Sequence, residues 1–458
     1  MRILLPTGTA TYEAVQKAAA GFDADVIVTG EIASFLTPGI LLDLVRKGDY
    51  DMVIVSGMVT ASFLPVEKET GVPVFLGPRH AADLGMVLSS LDTVPLSRTV
   101  PADDFITLVK REEAFRKLDK LEQDASYDYV IRGTRIGGAS RIKVLAEIMD
   151  AHLHADLRCA VENAILSGAD IVDLGFGFDA TPGDVARCFS QVADLPGPLA
   201  IDSQDPSLIA AALSRADIVL SLHDGNIPVV GKAVADAGIA AVIVPSGKTL
   251  EENIHLAEDA GISCIIADPL LQPVGSGLIR SLTDFPECCR YPVFFGAGNV
   301  VELLDADSPG MNALLAGMAK EAGASVIFTS EHSDKTKGSF REMRTATEMM
   351  ALAADRPYPK DLGIDLLLLK EKRRRNEPPL SYQSVEWAIQ PEGELQYDPK
   401  GNFRIGIEDD QIVAVINGRA VKGRSWMDVF SVILKNGDVS LIDHAAYLGK
   451  ELYKAELA

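Results

Sequence analysis

Carboxylates, amides and histidines recur at one kind of place in this 458-residue chain, directly after short apolar runs. Glu147, Asp150, His152 and His154 accompany the run near 142–149, and Asp173 closes the run at 170–175. Asp202 and Ser203 end the run at 198–202, and His223, Asp224 and Asn226 follow the one at 217–222. Pro245 to Thr249 follow 239–244, Asp268 follows 262–267, Asn299 follows 291–295, and Ser330 to Asp334 follow 324–329. An ionised carboxylate only accepts hydrogen bonds, whereas an amide both donates and accepts. A set of such groups with few cations suits a neutral or electron-poor heterocycle that offers N–H donors, better than a polyphosphate. Each Asp taken alone also reads as the cap of the next helix. Their placement after nearly every run argues against capping as the whole explanation. Asp150-Ala-His152-Leu-His154 sets two histidines two apart, on one face if the strand continues. The competing and simpler reading is a pair of helix-start histidines, so no bound metal is expected.

The elements that must carry these groups follow from periodicity. Eight apolar runs between about 142 and 329, separated by Ala-rich helical stretches such as PSLIAAALSRA, match a (β/α)8 TIM barrel in count and length. In that fold the groups after each strand share one face. A second open doubly wound sheet fits the even spacing less well. Ahead of the barrel, Arg2–Leu5, Asp25–Val28, Met52–Val55 and Val72–Leu76 read as strands ending in glycine turns. They predict a small open α/β sheet, Rossmann- or flavodoxin-like. Its Thr7-Gly8-Thr9-Ala10-Thr11 turn and Arg79 could face an anion, but the turn has no dinucleotide or P-loop glycine pattern. A charged helix over Asp103 to Tyr129 connects the two. The basic run 370–375 and Pro378-Pro379 mark a boundary, the run reading most simply as a solvated helix end. Beyond it, Asn402–Ile407 and Gln411–Ile416 predict a hairpin, and Ile442 to Ala458 an amphipathic helix, together an α+β module. The expected domains are therefore 1–125, 126–375 and 376–458.

Composition excludes more than it identifies. Asp and Glu number 65 against 43 Lys and Arg, a net charge of −22 that repels nucleic acid and anionic membrane surfaces. Five cysteines without CxxC spacing suggest neither a disulfide framework nor a thiolate zinc site. No apolar run reaches the ~20 residues of a membrane span. A cytoplasmic location is expected.

Three strand-end segments carry a family resemblance. GADIVDLG (168–175) followed by ATPG (180–183), LAIDSQDPSLIAAAL (199–213) and ADPLLQPVG (267–275) resemble, in order and spacing, the second, third and sixth strands of the pterin-binding barrels that include dihydropteroate synthases. The resemblance implies that Asp202 and Asp268 bind a pterin, whose 2-amino-4-oxo edge presents adjacent N–H donors. The synthases' cations after strands two, seven and eight are replaced here by Asp179-Ala-Thr-Pro-Gly183, Gly298-Asn299-Val300 and Ser330-Glu331-His332. That departure argues against displacement of pyrophosphate. Glu147 in strand one and Asn299 after strand seven instead resemble the methyl-tetrahydropterin methyltransferase branch. There the Asn would hydrogen-bond near N5 as a methyl group leaves to a cobalt(I) corrinoid. The whole chain resembles the archaeal dihydropteroate synthase-related proteins of tetrahydromethanopterin-using organisms, and its tail 443–452 more weakly resembles part of a corrinoid-bearing methyltransferase subunit. The His152/His154 pair resembles the first-strand motif of amidohydrolases, but later strands offer Pro245 and Asp268 in place of that family's histidines.

The resemblance thus implies a pterin-binding transferase of one-carbon metabolism, with tetrahydromethanopterin or tetrahydrofolate as the substrate type. Asn299 and Asp202 stand as catalytic candidates, and Asp202, Asp268, Asn299, Glu147, Asp173, Asp224 and Asn226 as pterin contacts. Methyl transfer is favoured over dihydropteroate-type condensation, a non-catalytic pterin-binding subunit and a metal hydrolase. The partners expected are the small-molecule pterin, a corrinoid protein and a second copy in a homodimer.

Overall fold

The computed structural model describes residues 1–91, 95–285, 290–356, 358–360, 362–368, 383–384 and 397–457. One compact unit runs Met1–Leu367, and the C-terminal residues from 397 onward belong to a second. The basic run 370–375, Pro378-Pro379 and the Cys288-Cys289 pair lie outside the described residues.

The first sheet contains β1 (Ile3–Gly8), β2 (Ala24–Gly30), β3 (Met52–Val55) and β4 (Val74–Leu76), all parallel, in the order β2-β1-β3-β4. This is the open α/β sheet expected from the sequence. At Gly57 a glycine is needed for close approach: a Cβ there would lie 2.5 Å from the Gly77 carbonyl oxygen. The connecting helix spans Ala102–Asp124. A short antiparallel hairpin follows, β5 (Tyr129–Ile131) and β6 (Thr134–Ile136), which the sequence reading did not anticipate.

Eight parallel strands then close into a barrel: β7 (Lys143–Ile148), β8 (Ile171–Gly175), β9 (Leu199–Asp202), β10 (Ile218–Leu222), β11 (Ala240–Ile243), β12 (Ile265–Ala267), β13 (Val293–Phe295) and β14 (Ala324–Ser330). β14 pairs with β7 to complete it. Strand side chains alternate between two cores. Leu145, Ile171, Ala200, Ile218, Leu220, Ala240, Val242, Ile266, Phe294, Val326 and Phe328 fill the interior together with Ile131 and Ile136 of the hairpin. Arg132, at the hairpin turn, donates to the Ala193 and Leu195 carbonyls just before β9, so the hairpin plugs the amino-terminal end. The alternate residues Ala146, Val172, Leu174, Ile201, Ala241 and Ile243 face outward onto helices such as Leu157–Leu166 and Pro182–Val192. Pro182–Val192 starts with a full capping box between Thr181 and Asp184.

The second unit contains β15 (Arg404–Glu408), β16 (Gln411–Ile416) and β17 (Arg419–Gly423), antiparallel, with helices Trp426–Lys435 and Ile442–Leu457. The expected hairpin turns on Asp409 and Asp410, at φ 51° and 57°, as a two-residue turn between twisted strands requires. The next turn, Asn417-Gly418 at φ 48° and 75°, adds the third strand. Leu448 and Leu452 of the last helix are buried against Ile412, Val429 and Ile433. No described helix is long and apolar enough to cross a membrane.

Candidate functional site

The parity of the barrel interior selects the site. Continuing each inward series toward the carboxyl end leads from Leu145 to Glu147, from Ile171 to Asp173, from Ala200 to Asp202 and from Ile266 to Asp268. Glu147 and Asp173 are register partners on β7 and β8, and Gly175 of β8 is the partner of Asp202 on β9. One ligand oxygen each from Glu147, Asp173 and Asp202 lies within 4.8 Å of the other two. Glu147 and Asp202 open onto a cavity of about 560 Å³ at this end of the barrel, also lined by Met149, Asp150, Phe176, Phe178, Ser203 and Gln204. Among the described residues neither Lys nor Arg lines it.

Burial without a cation disfavours ionisation. Desolvation, with the charges of Asp202, Asp150 and Glu302, pushes the Glu147 carboxyl up to about 7. Asp173 is fully buried, and burial together with the neighbouring Asp202 and Glu147 raises it well above the usual carboxylate range. Burial also raises Asp202. Asp268 is pushed up to about 7 by burial and by Asp202, against the Leu270 backbone N–H, which donates to its Oδ1 at 2.8 Å. This mouth is therefore rich in acceptors and in carboxyls that can hold a proton near neutral pH.

Asn299 lies at the second position of the helix Gly298–Glu302 after β13 and is exposed. The helix is capped at Ala297, so Asn299 does not serve as its N-cap. Glu302 of the same helix accepts from Thr336 Oγ1 at 2.6 Å, Ser333 Oγ at 2.7 Å and the His332 backbone N–H at 3.0 Å, tying this helix to the loop after β14. Burial opposes ionisation of Glu302, but these donors outweigh it and hold the carboxyl below its usual value.

Asp224 and Asn226 are placed differently. β10 has an irregularity at Ser221, which adopts φ 65°, and Leu222 turns to the outer core instead of the interior. Asp224 accepts from the Gly247 backbone N–H at 3.1 Å, linking the loops after β10 and β11. Asn226 is buried and spends its side chain on the turn, accepting from His223 N–H and donating to the Ser221 carbonyl. The structure does not bring either into the cavity lining, nor does it bring Asp268 or Asn299 there; of the predicted pterin contacts Glu147 and Asp202 line it. His223 reaches instead toward the loop after β9, with Nε2 2.8 Å from Gln204 Oε1.

The two histidines after β7 separate. His152 Nε2 lies 3.2 Å from Asp179 Oδ1, while His154 Nε2 lies 3.1 Å from the Met149 carbonyl oxygen. Among the described residues the one cluster of His, Cys, Asp and Glu with metal-like spacing is Glu147, Asp173 and Asp202. Three non-glycine residues at the carboxyl rim hold left-handed backbone, Asp150 (φ 48°), Ser221 (φ 65°) and Leu270 (φ 66°). Such conformations each cost about 1–3 kcal/mol and cluster at functional sites. Sequence reasoning missed the lining residues Phe176, Phe178 and Gln204; the glycine between the two phenylalanines was the available signal.

Comparison with known proteins adds three findings. Residues 397–458 match the family model described as PterinBD-DUF4346. The whole chain aligns with the uncharacterized protein MJ0107 of Methanocaldococcus jannaschii at 32% identity over 506 positions, covering 96% of that protein. Among solved structures, a Yersinia pestis DHPS bound to a pterine-sulfa conjugate covers 50% of this chain and 99% of its own at 17% identity and a TM-score of 0.41. Mycobacterium tuberculosis Rv1207 covers 51% of this chain and 100% of its own at 18% identity and a TM-score of 0.39.

Proposed function

Since the chain belongs to the archaeal dihydropteroate synthase-related family, with MJ0107 as a relative over its whole length, we propose that it is a pterin-binding transferase of one-carbon metabolism. Its reaction is methyl transfer from a methyl-tetrahydropterin, of the tetrahydromethanopterin or tetrahydrofolate type, to a corrinoid on a partner protein or to another acceptor. The observation that carries this reading is a barrel-mouth cavity of about 560 Å³, lined by carboxylates and, among the described residues, by no Lys or Arg. Its volume lies in the ~300–1,000 Å³ range of small-molecule sites. Asp202 and Asp268 accept the N–H donors of the pterin edge, and Asn299 hydrogen-bonds near N5. Glu147 and Asp173 support them from the neighbouring strands. Asp224 and Asn226 act as positioning residues, shaping the loop that carries His223.

In the transfer step a nucleophile attacks the methyl carbon, the carbon–N5 bond breaks and its electron pair stays on N5. A proton then satisfies N5, supplied by water or by a general acid at the barrel mouth. The same cavity favours this chemistry over pyrophosphate displacement, which needs cations on the leaving group. Titrating the protein with a panel of methyl-tetrahydropterins, then adding cob(I)alamin and following the corrinoid spectrum, tests both halves. Binding with a spectral change supports transfer, binding without one supports a non-catalytic pterin subunit, and no binding removes the proposal.

A further inference from the structure

Asp173 stands apart from the other carboxylates of the barrel mouth. It is fully buried, and among the described residues neither of its side-chain oxygens has a hydrogen-bond partner. A buried carboxylate left in that state costs several kcal/mol unless something neutralises it. It is also absent from the cavity lining, where its register partner Glu147 and its neighbour Asp202 are exposed to the space above. A bicyclic substrate in the cavity therefore meets Glu147 and Asp202, and Asp173 is reached only by something small.

A hard divalent cation meets these conditions. Such ions hold their oxygens at ~2.0–2.6 Å, so two oxygens of one shell lie at most ~5 Å apart. The oxygens of Glu147, Asp173 and Asp202 lie within 4.8 Å of one another. We propose that Glu147, Asp173 and Asp202 form a binding site for one Mg2+ or Mn2+ ion at the base of the cavity. An all-oxygen donor set favours hard cations over zinc and copper, which prefer nitrogen and sulfur ligands. Three carboxylates leave coordination positions for water, in keeping with magnesium, which gives up its waters reluctantly; calcium takes six to eight oxygens. The ion neutralises charge that no Lys or Arg among the described residues of the lining offsets. It would also leave the second oxygen of Asp202 available to a ligand above. The site goes beyond the pterin reading and does not depend on it.

The test uses the full chain, stripped with a chelator and titrated with MnCl2 at neutral pH while free Mn2+ is read by electron paramagnetic resonance. One Mn2+ per chain should bind, displaced by Mg2+. Asp173→Asn and Glu147→Gln should each weaken binding by at least ~10-fold. Asp305→Asn, at a fully exposed carboxylate, should bind as the parent does. Folding of each variant is checked by circular dichroism, and if one fails to fold the other decides. Absence of Mn2+ binding by the parent, or unchanged binding by a folded Asp173→Asn or Glu147→Gln chain, overturns the site and leaves shared protons as the balancing charge. A parallel pterin titration in chelator separates the two ideas. Pterin binding without Mn2+ binding removes only the cation site; Mn2+ binding without pterin binding removes only the functional reading.

Discussion

Replacing Asp268 with Asn should make the barrel more stable above neutral pH and leave its stability unchanged in acid. Asp268 is 6% exposed, and its carboxyl is pushed up to about 7 by burial and by the nearby Asp202. In the unfolded chain it returns to the ordinary value of about 4. Below that value both states are protonated and the raised pKa costs nothing. As the pH rises from about 4 to about 7 the unfolded state loses its proton while the folded state keeps it, and stability falls by about 1.4 kcal/mol per pH unit. Above about 7 the cost is complete, about 4 kcal/mol in all. Asn removes the ionisation and keeps an oxygen to accept the Leu270 N–H, which Oδ1 now accepts at 2.8 Å. The stability gain should be near zero at about pH 4 and grow to a plateau of a few kcal/mol above neutrality. Urea unfolding of both proteins across that range, followed by far-UV circular dichroism, reads the difference directly. A variant less stable than the parent at every pH, or a gain as large in acid as in alkali, would refute the reasoning. The same variant should lose pterin affinity, the pattern of a group retained for binding at the expense of stability.

Other perturbations have equally definite outcomes. Asn299→Ala, at an exposed helix position, should change stability by less than ~0.5 kcal/mol and lower kcat for methyl transfer by roughly 10²-fold. Equal kcat would remove its role at N5. Gly57→Ala places a Cβ 2.5 Å from the Gly77 carbonyl oxygen and should destabilise the N-terminal sheet by about 1–3 kcal/mol; a neutral result in thermal unfolding would show that the loop yields. Asp398 in the C-terminal unit accepts from Ser440 Oγ, His444 Nδ1 and the Ser440, Leu441 and Lys400 backbone N–H groups. Burial works against its ionisation, yet these donors hold the carboxyl far below the usual range. The stability it contributes is therefore present above about pH 4 and is lost as the pH falls below that. Asp398→Asn should lower the melting midpoint of this unit at neutral pH and flatten its acid dependence, and identical acid profiles would contradict that.

Much of this architecture was legible because its signals are local. Runs of Val, Ile and Leu at even spacing mark the barrel strands to within a few residues, and the period of two along them already implies that Glu147, Asp173, Asp202 and Asp268 share one mouth. What escaped depends on geometry that no local pattern encodes. The β5–β6 hairpin has three-residue strands, and only contacts of Ile131 and Ile136 with the barrel interior make it a plug. Asp224 has the right type after the right strand, but the left-handed backbone at Ser221 diverts the chain and commits Asp224 to Gly247. A non-glycine residue at positive φ is uncommon and leaves no compositional trace. His152 and His154 look paired in sequence, yet a turn of 3-10 helix over Ala151–Leu153 sends them to different partners. Asn417-Gly418, by contrast, is a strong two-residue hairpin signal that could have predicted β17.

The carboxylates at the carboxyl ends of the barrel strands are proposed to recognise a pterin. The most direct measurement is calorimetric titration of the full chain with methyl-tetrahydromethanopterin and methyl-tetrahydrofolate, beside the Asp202→Ala variant. Saturable binding to the parent, weakened ~10–100-fold or lost in the variant as expected for a charge-assisted hydrogen bond, is the predicted result. Binding that Asp202→Ala leaves unchanged, or no binding of any pterin to the folded parent, would contradict it.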